Sequence, residues 1–226
     1  PPANPVDAMP HTGISGGGPT TYPVAPAQIP DWVRPLGNGR IPEDRLIKVA
    51  PIREGFLIPE AAAAWRSLQN AARVAGWNLT MTGAYRTFDR QHDMFFERFQ
   101  DSDSGTGKSK VFEGKTYWLR RGMAQAATPG ASNHGWGCGV DMALDGYGGA
   151  VRDVGTDPGF MKWVVENAHV HGWSWEVQSE PWHVRLVGSP SVPVPTPDAT
   201  AARTSAAPQN MAPPQPTLKR GSKGGQ

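Results

Sequence analysis

All nine tryptophans of this 226-residue chain lie between Trp32 and Trp182, so any sizeable core must be built there. Residues 1–30 and 188–226 are instead rich in Pro, Gly, Ser, Thr and Ala. Stretches of that composition bury too little apolar surface to offset the entropy of ordering, and both read as linkers or disordered tails. The remaining segment, 31–187, is long enough for one well-buried domain, which decides for one domain rather than two small ones.

Charge narrows the function classes. Over residues 31–190 there are 18 Lys and Arg against 18 Asp and Glu, and the overall excess of +2 comes from the ends, chiefly Arg203, Lys219, Arg220 and Lys223. A balanced core argues against a nucleic-acid surface, which would show a clustered basic face. The lone Cys138 excludes an internal disulfide. No apolar run reaches the length of a transmembrane segment or a signal peptide. The chain starts at Pro1 rather than Met, and is read as processed or cut from a longer precursor.

Periodicity places the elements. Residues 59–75 form a helix, with Pro59 in its first turn, Trp65, Leu68, Ala72 and Ala75 at helical spacing, and Gly76 to stop it. Trp77 to Thr82 alternates as a strand. Thr87 caps a second helix over FDRQHDMFFERF. Residues 101–131 are polar around Tyr117-Trp118-Leu119 and read as a long excursion, of the kind that serves as a lid or rim. Gly139 to Leu144 is a strand, DPGFMKWVVENAHVHG a helix ending near Gly172, WSWEV a strand and HVRLV the closing strand. Interleaved helices and short strands predict an α+β fold: a small, mainly antiparallel sheet with helices packed against it.

The chemistry concentrates around SNHGWGCGVD, residues 132–141. In an extended 139–144, Gly139, Asp141 and Ala143 share one face, while Cys138, Val140 and Met142 share the other. The face of Asp141 is thus lined by small side chains, which leaves room for an ion and a substrate. By themselves, His134 and Asp141 read equally as a turn histidine and a carboxylate capping a loop. Glu180-Pro181-Trp182-His183 adds a second histidine and a carboxylate at the mouth of a strand. Two histidine nitrogens and one carboxylate make a three-ligand zinc set with an open position, which is the catalytic pattern. Cys138 is expected to stay in the core as a small residue. His92, His169 and His171 lie in helical or helix-end segments and are expected to be surface or packing residues.

Glu180 then has a role as general base, taking a proton from a zinc-activated water and passing it to a leaving amine. Arg86, after the strand that ends near Thr82, is the candidate cation for the developing oxyanion. About one zinc per chain is expected.

These residues resemble the VanY-type zinc D-alanyl-D-alanine carboxypeptidases, a group that includes phage L-alanyl-D-glutamate endopeptidases and D,D-dipeptidases. The resemblance rests on Ser132-x-His134-x-x-Gly-x-Gly139-x-Asp141, on Glu180-Pro181-Trp182-His183 before a short strand, and on Gly83-x-Tyr85-Arg86-Thr87 upstream. It covers roughly residues 45–187. It implies zinc on His134, Asp141 and His183, catalysis by Glu180 and Arg86, and substrate contacts from Ser132, Gln91, Tyr85 and Trp182. The implied partner is the stem peptide of bacterial peptidoglycan, and Ala127 to Ser132 looks closer to the carboxypeptidases than to the endopeptidases. Two departures stand out: Gly139 replaces a usual alanine, which should open the site slightly, and Trp136 puts an indole at its rim.

An alternative on the same fold is a non-catalytic zinc-containing module, as in hedgehog signalling domains or a phage tail; the presence of Glu180 favours the enzyme. The proline-rich ends suggest tethering to a wall-binding or tail module. The setting is then extracellular or on the cell-wall side, in a phage lysin, a virion or an exported wall enzyme.

Overall fold

The computed structural model describes residues 22–25, 28–146 and 152–188. Its elements in chain order are β1 (Ile47–Lys48), β2 (Phe56–Leu57), α1 (Pro59–Val74), β3 (Leu79–Gly83), α2 (Phe88–Arg98) and β4 (Phe99–Gln100). There follow β5 (Ser109–Phe112), β6 (Lys115–Leu119), β7 (Gly139–Leu144), β8 (Arg152–Asp153), α3 (Pro158–Asn167), β9 (Trp173–Trp175) and β10 (His183–Leu186).

The central sheet runs β3-β7-β10-β9, antiparallel throughout, with β8 added to β7. One face carries Val140, Met142, Leu144, Val184 and Leu186 into the main core. There it meets α1, whose Ala61, Ala62, Ala64, Trp65, Leu68 and Ala72 are buried because their spacing puts them on one side of the helix. Trp65 meets Trp173 edge-on at 6.0 Å. The Thr87 hydroxyl accepts from Arg90 N at 3.1 Å and starts α2 where the sequence places it. The last predicted helix is α3 only to Asn167; from Ala168 to His171 it tightens into a 3₁₀ turn.

Two expectations are corrected. The excursion at 101–131 contains the β5–β6 hairpin, which joins β4 in a three-stranded sheet. This sheet has its own small core of Met94, Phe95, Phe99, Leu119 and Ala126, with the Phe95 and Phe99 rings stacked at 4.7 Å. Nor is all of 1–30 tail. Val24 bridges Trp175 in parallel, Ala25 N donates to Trp175 O at 3.0 Å, and Tyr22 is buried at 5 % exposure. Composition marked the segment as polar, but main-chain pairing to an open sheet edge needs no apolar side chains. The rest of both predicted tails, residues 1–21, 26–27 and 189–226, lies outside the described residues. Among the described residues, no helix is long and apolar enough to cross a membrane.

Candidate metal centre

Strand register brings the predicted ligands together. His183, the first residue of β10, pairs directly with Asp141 of β7, and its Nδ1 lies 2.9 Å from Asp141 Oδ1. His134 comes from a 3₁₀ turn, Asn133–Trp136, just before β7, and its Nε2 lies 3.2 Å from Asp141 Oδ2. The three donor atoms all lie within 4.8 Å of one another, and the group could hold a metal ion.

The hydrogen bonds behind the histidines fit that use. His134 Nδ1 is 2.8 Å from the carbonyl oxygen of Ala84. A carbonyl only accepts, so Nδ1 carries the proton and Nε2 turns a lone pair toward a carboxylate oxygen. His183 Nε2 faces the Glu176 carboxylate oxygen Oε2 at 3.4 Å; with the ring proton on that side, Nδ1 likewise turns its lone pair toward Asp141. Lone pairs and a carboxylate converging in this way are held together by positive charge, either a metal ion or protons. Burial alone would raise the Asp141 carboxyl, but the charge and hydrogen bond of His134, then those of His183, hold it well below its ordinary value. Burial alone would lower His183, but hydrogen bonds to Asp141 and Glu176 push it up to about 9.

Small residues let these pieces approach. A Cβ on Gly135 would lie 2.2 Å from Asn38 Oδ1, because the Asn38 amide clamps the adjoining turn, donating to Ser132 O at 2.7 Å and accepting from Ser132 N at 3.2 Å. At Gly139 a Cβ would lie 3.2 Å from His183 Cε1. The room on the Asp141 face is therefore taken by the imidazole of His183, and an alanine at 139 would press on a ligand. Trp136 is also not at the rim. It packs against the main core, and Trp182 stands on the cavity wall instead. Cys138 is fully buried in the core, as expected.

A cavity of about 800 Å³ opens over the three donors, and Arg86, Ser132, Glu180 and Trp182 line it. Glu180 sits in the turn before β10, where its carbonyl accepts from His183 N at 3.0 Å. Arg86 Nε donates to Glu54 Oε2 at 2.9 Å, and Arg86 Nη1 to Gln91 Oε1 at 3.4 Å. Gln91 is 2 % exposed and its amide donates to Ala127 O at 2.6 Å, so it braces Arg86 against the 127–131 loop. Tyr85 and Gln91, expected at the substrate, are both buried and both bond within the chain, the Tyr85 hydroxyl accepting from Ile41 N at 2.9 Å. His92 and His169 are exposed and His171 bonds Ser67 Oγ, all away from the centre.

Four carboxylate and guanidinium partners, Glu54, Arg90, Glu176 and Arg185, escaped the reading of the sequence. Glu54 is buried between Arg86 and Arg90. Glu176 stands between His183 and the buried Arg185, with which it pairs closely. An arginine inside the apolar strand HVRLV was the one available signal, since a buried guanidinium requires a carboxylate nearby. Beside it, burial pushes the Cys138 thiol up against the opposing pull of Arg185.

The chain belongs to the VanY family, D-alanyl-D-alanine carboxypeptidase, whose model matches residues 55–189. It is 27 % identical over 153 residues to YodJ of Bacillus subtilis (strain 168), covering 63 % of this chain and 50 % of that protein. It is also 27 % identical over 137 residues to a D-alanyl-D-alanine carboxypeptidase of Enterococcus faecalis (strain ATCC 700802 / V583), covering 54 % and 45 %. The chain thus spans about half the length of the curated relatives it matches. Among solved structures it is similar to an LdcB LD-carboxypeptidase, with 24 % identity, 68 % of this chain and 76 % of that one covered, and a TM-score of 0.48.

Proposed function

We propose that this chain is a zinc-dependent peptidoglycan peptidase that hydrolyses a peptide bond of the stem peptide, in the manner of a D-alanyl-D-alanine carboxypeptidase. The observation that carries the reading is the cross-strand pair His183 and Asp141, joined by His134, at the floor of a cavity that Glu180 also lines. His134 Nε2, a carboxylate oxygen of Asp141 and His183 Nδ1 would hold the metal, a set of three ligands that suits catalytic zinc. Bound there, zinc supplies Lewis acidity, lowering the pKa of water toward 7 and polarising the scissile carbonyl.

The chain's own residues do the rest. Glu180 takes the proton of the attacking water and returns it to the leaving amine. Arg86, fixed by Glu54 and Gln91, offers a preoriented cation to the carbonyl oxygen as it gains charge. Ser132 and Trp182 line the same cavity and are the substrate contacts in this reading. Such a substrate lies outside the cytoplasmic membrane, so the enzyme works on the cell-wall side. The proline-rich stretch from residue 188 onward is read as a tether to a wall-binding or phage-tail module.

The test is mass spectrometry of products after incubating the zinc-loaded chain, and its Glu180→Ala variant, with stem peptides ending in D-Ala-D-Ala. Release of D-alanine by the wild type alone supports the reading, and release of a larger piece moves the scissile bond inward. No release by a wild type that holds zinc overturns it.

A further inference from the structure

Residues Tyr22–Ala25 lie outside the stretch that matches the family, yet they are built against the turn that carries Glu180. Pro23 O accepts from Trp175 N at 3.3 Å and from Ser174 Oγ at 2.7 Å, and Ala25 N donates to Trp175 O at 3.0 Å. This pairing seats the Tyr22 ring against Trp175, with centroids 4.8 Å apart. The hydroxyl of Tyr22 then reaches past the sheet and donates to Gln178 O at 2.5 Å.

Gln178 is two residues before Glu180, at the tip of a turn also held by Glu180 N to Val177 O (3.2 Å), His183 N to Glu180 O (3.0 Å) and Trp175 Nε1 to Pro181 O (2.9 Å). Gln178 and Ser179 are exposed, so the hydroxyl ties a solvent-facing tip to the packed sheet. Burial, and after it the negative charge of Glu180, push the Tyr22 phenol up, which keeps it a protonated donor beside that carboxylate. A general base must stay within hydrogen-bond reach of the proton it takes, and small displacements are costly to rate.

We propose that Tyr22 is a positioning residue for Glu180: its hydroxyl fixes the 177–180 turn so that the carboxylate stays on the cavity wall. The proposal rests on the reading of Glu180 as the base.

The test uses the full zinc-loaded chain and Tyr22→Phe, which removes one hydroxyl and keeps the ring against Trp175. Two quantities are read: kcat and KM on a stem peptide ending in D-Ala-D-Ala, and hydrogen exchange of the Glu180 and His183 amides. We expect unchanged zinc content and KM, and a kcat lower by about tenfold, the rate equivalent of one hydrogen bond near the top of its ordinary range. The Glu180 amide should exchange faster. Unchanged exchange overturns the proposal whatever the activity, and so does faster exchange with an unchanged kcat. A wild type that holds zinc and releases no product overturns the peptidase reading, and the role of Tyr22 with it; an active wild type with an equally active variant overturns the role of Tyr22 alone.

Discussion

His183 faces Asp141 directly across two antiparallel strands, with Nδ1 2.9 Å from Oδ1. Two of the three metal-ligand candidates are therefore fixed by sheet register rather than by loops. A slip of one residue would turn either side chain to the opposite face, into the core of Val140, Val184 and Met142. That core makes the slip costly, so the hydrophobic face of the sheet enforces the geometry of the polar one.

The same pair makes metal-free protein sensitive to alkali. Asp141 and Glu176 raise His183 to about 9, above an unfolded value near 6.5, against the opposing effect of burial. A raised histidine pKa stabilises below the unfolded pKa, and that stabilisation is lost as pH rises through the folded one. Chelated protein should lose on the order of 3 kcal/mol between about pH 6.5 and 9. Metal competes with the same proton, so zinc affinity should climb over that range. Urea titrations of chelated protein across this window check the first point, and a flat stability would contradict it.

Glu176→Gln should weaken the centre without touching a ligand. It replaces the carboxylate that faces His183 Nε2 and pairs with Arg185, itself only 4 % exposed, by a neutral amide. Loss of the histidine's partner should cost about 10–100-fold in zinc affinity. Loss of the charge should cost about 3 kcal/mol in folding, the low end for a broken buried pair because Glu176 keeps some exposure. Competition titration and thermal unfolding measure the two separately.

Gly139→Ala supplies the alanine that the resemblance led one to expect, yet it should destabilise here. The new Cβ would stand 3.2 Å from His183 Cε1, so the ring must shift or the strands must part. Overpacking of this kind costs about 1–3 kcal/mol. If thermal unfolding and zinc affinity both match the wild type, His183 has more freedom than its burial implies.

Arg86→Ala should separate metal binding from turnover. Arg86 lines the cavity but is not among the three clustered donors, so zinc content should hold. Removing one preoriented group from an oxyanion site typically lowers kcat by about 10²–10³-fold. A variant with wild-type kcat would assign Arg86 to structure, through its bond to buried Glu54.

What the sequence allowed one to read follows from period and proximity. The parity of Gly139 to Leu144 is a period of two, and it correctly put Asp141 and Cys138 on opposite faces. Thr87 announces α2 through a bond only three residues long. The β5–β6 hairpin escaped because its residue types run against its burial: in β5, Val111 is exposed while Lys110 is half-buried, so no apolar alternation marks the strand. Glu54 and Asn38 escaped because their partners lie 32 and 94 residues away, and nothing local marks a side chain with a distant partner. Nothing local shows that the Tyr85 hydroxyl turns to Ile41 while its neighbour Arg86 faces the cavity.

The parallel pairing of residues 23–25 with Trp175 also decides where this protein can be shortened. Without them, β9 would present unpaired main-chain groups and an uncovered indole to solvent, a template on which a second molecule can add. A version trimmed to residue 31, where composition alone would put the start of the domain, should precipitate or self-associate on concentration, while one that begins ahead of Tyr22 should stay monodisperse.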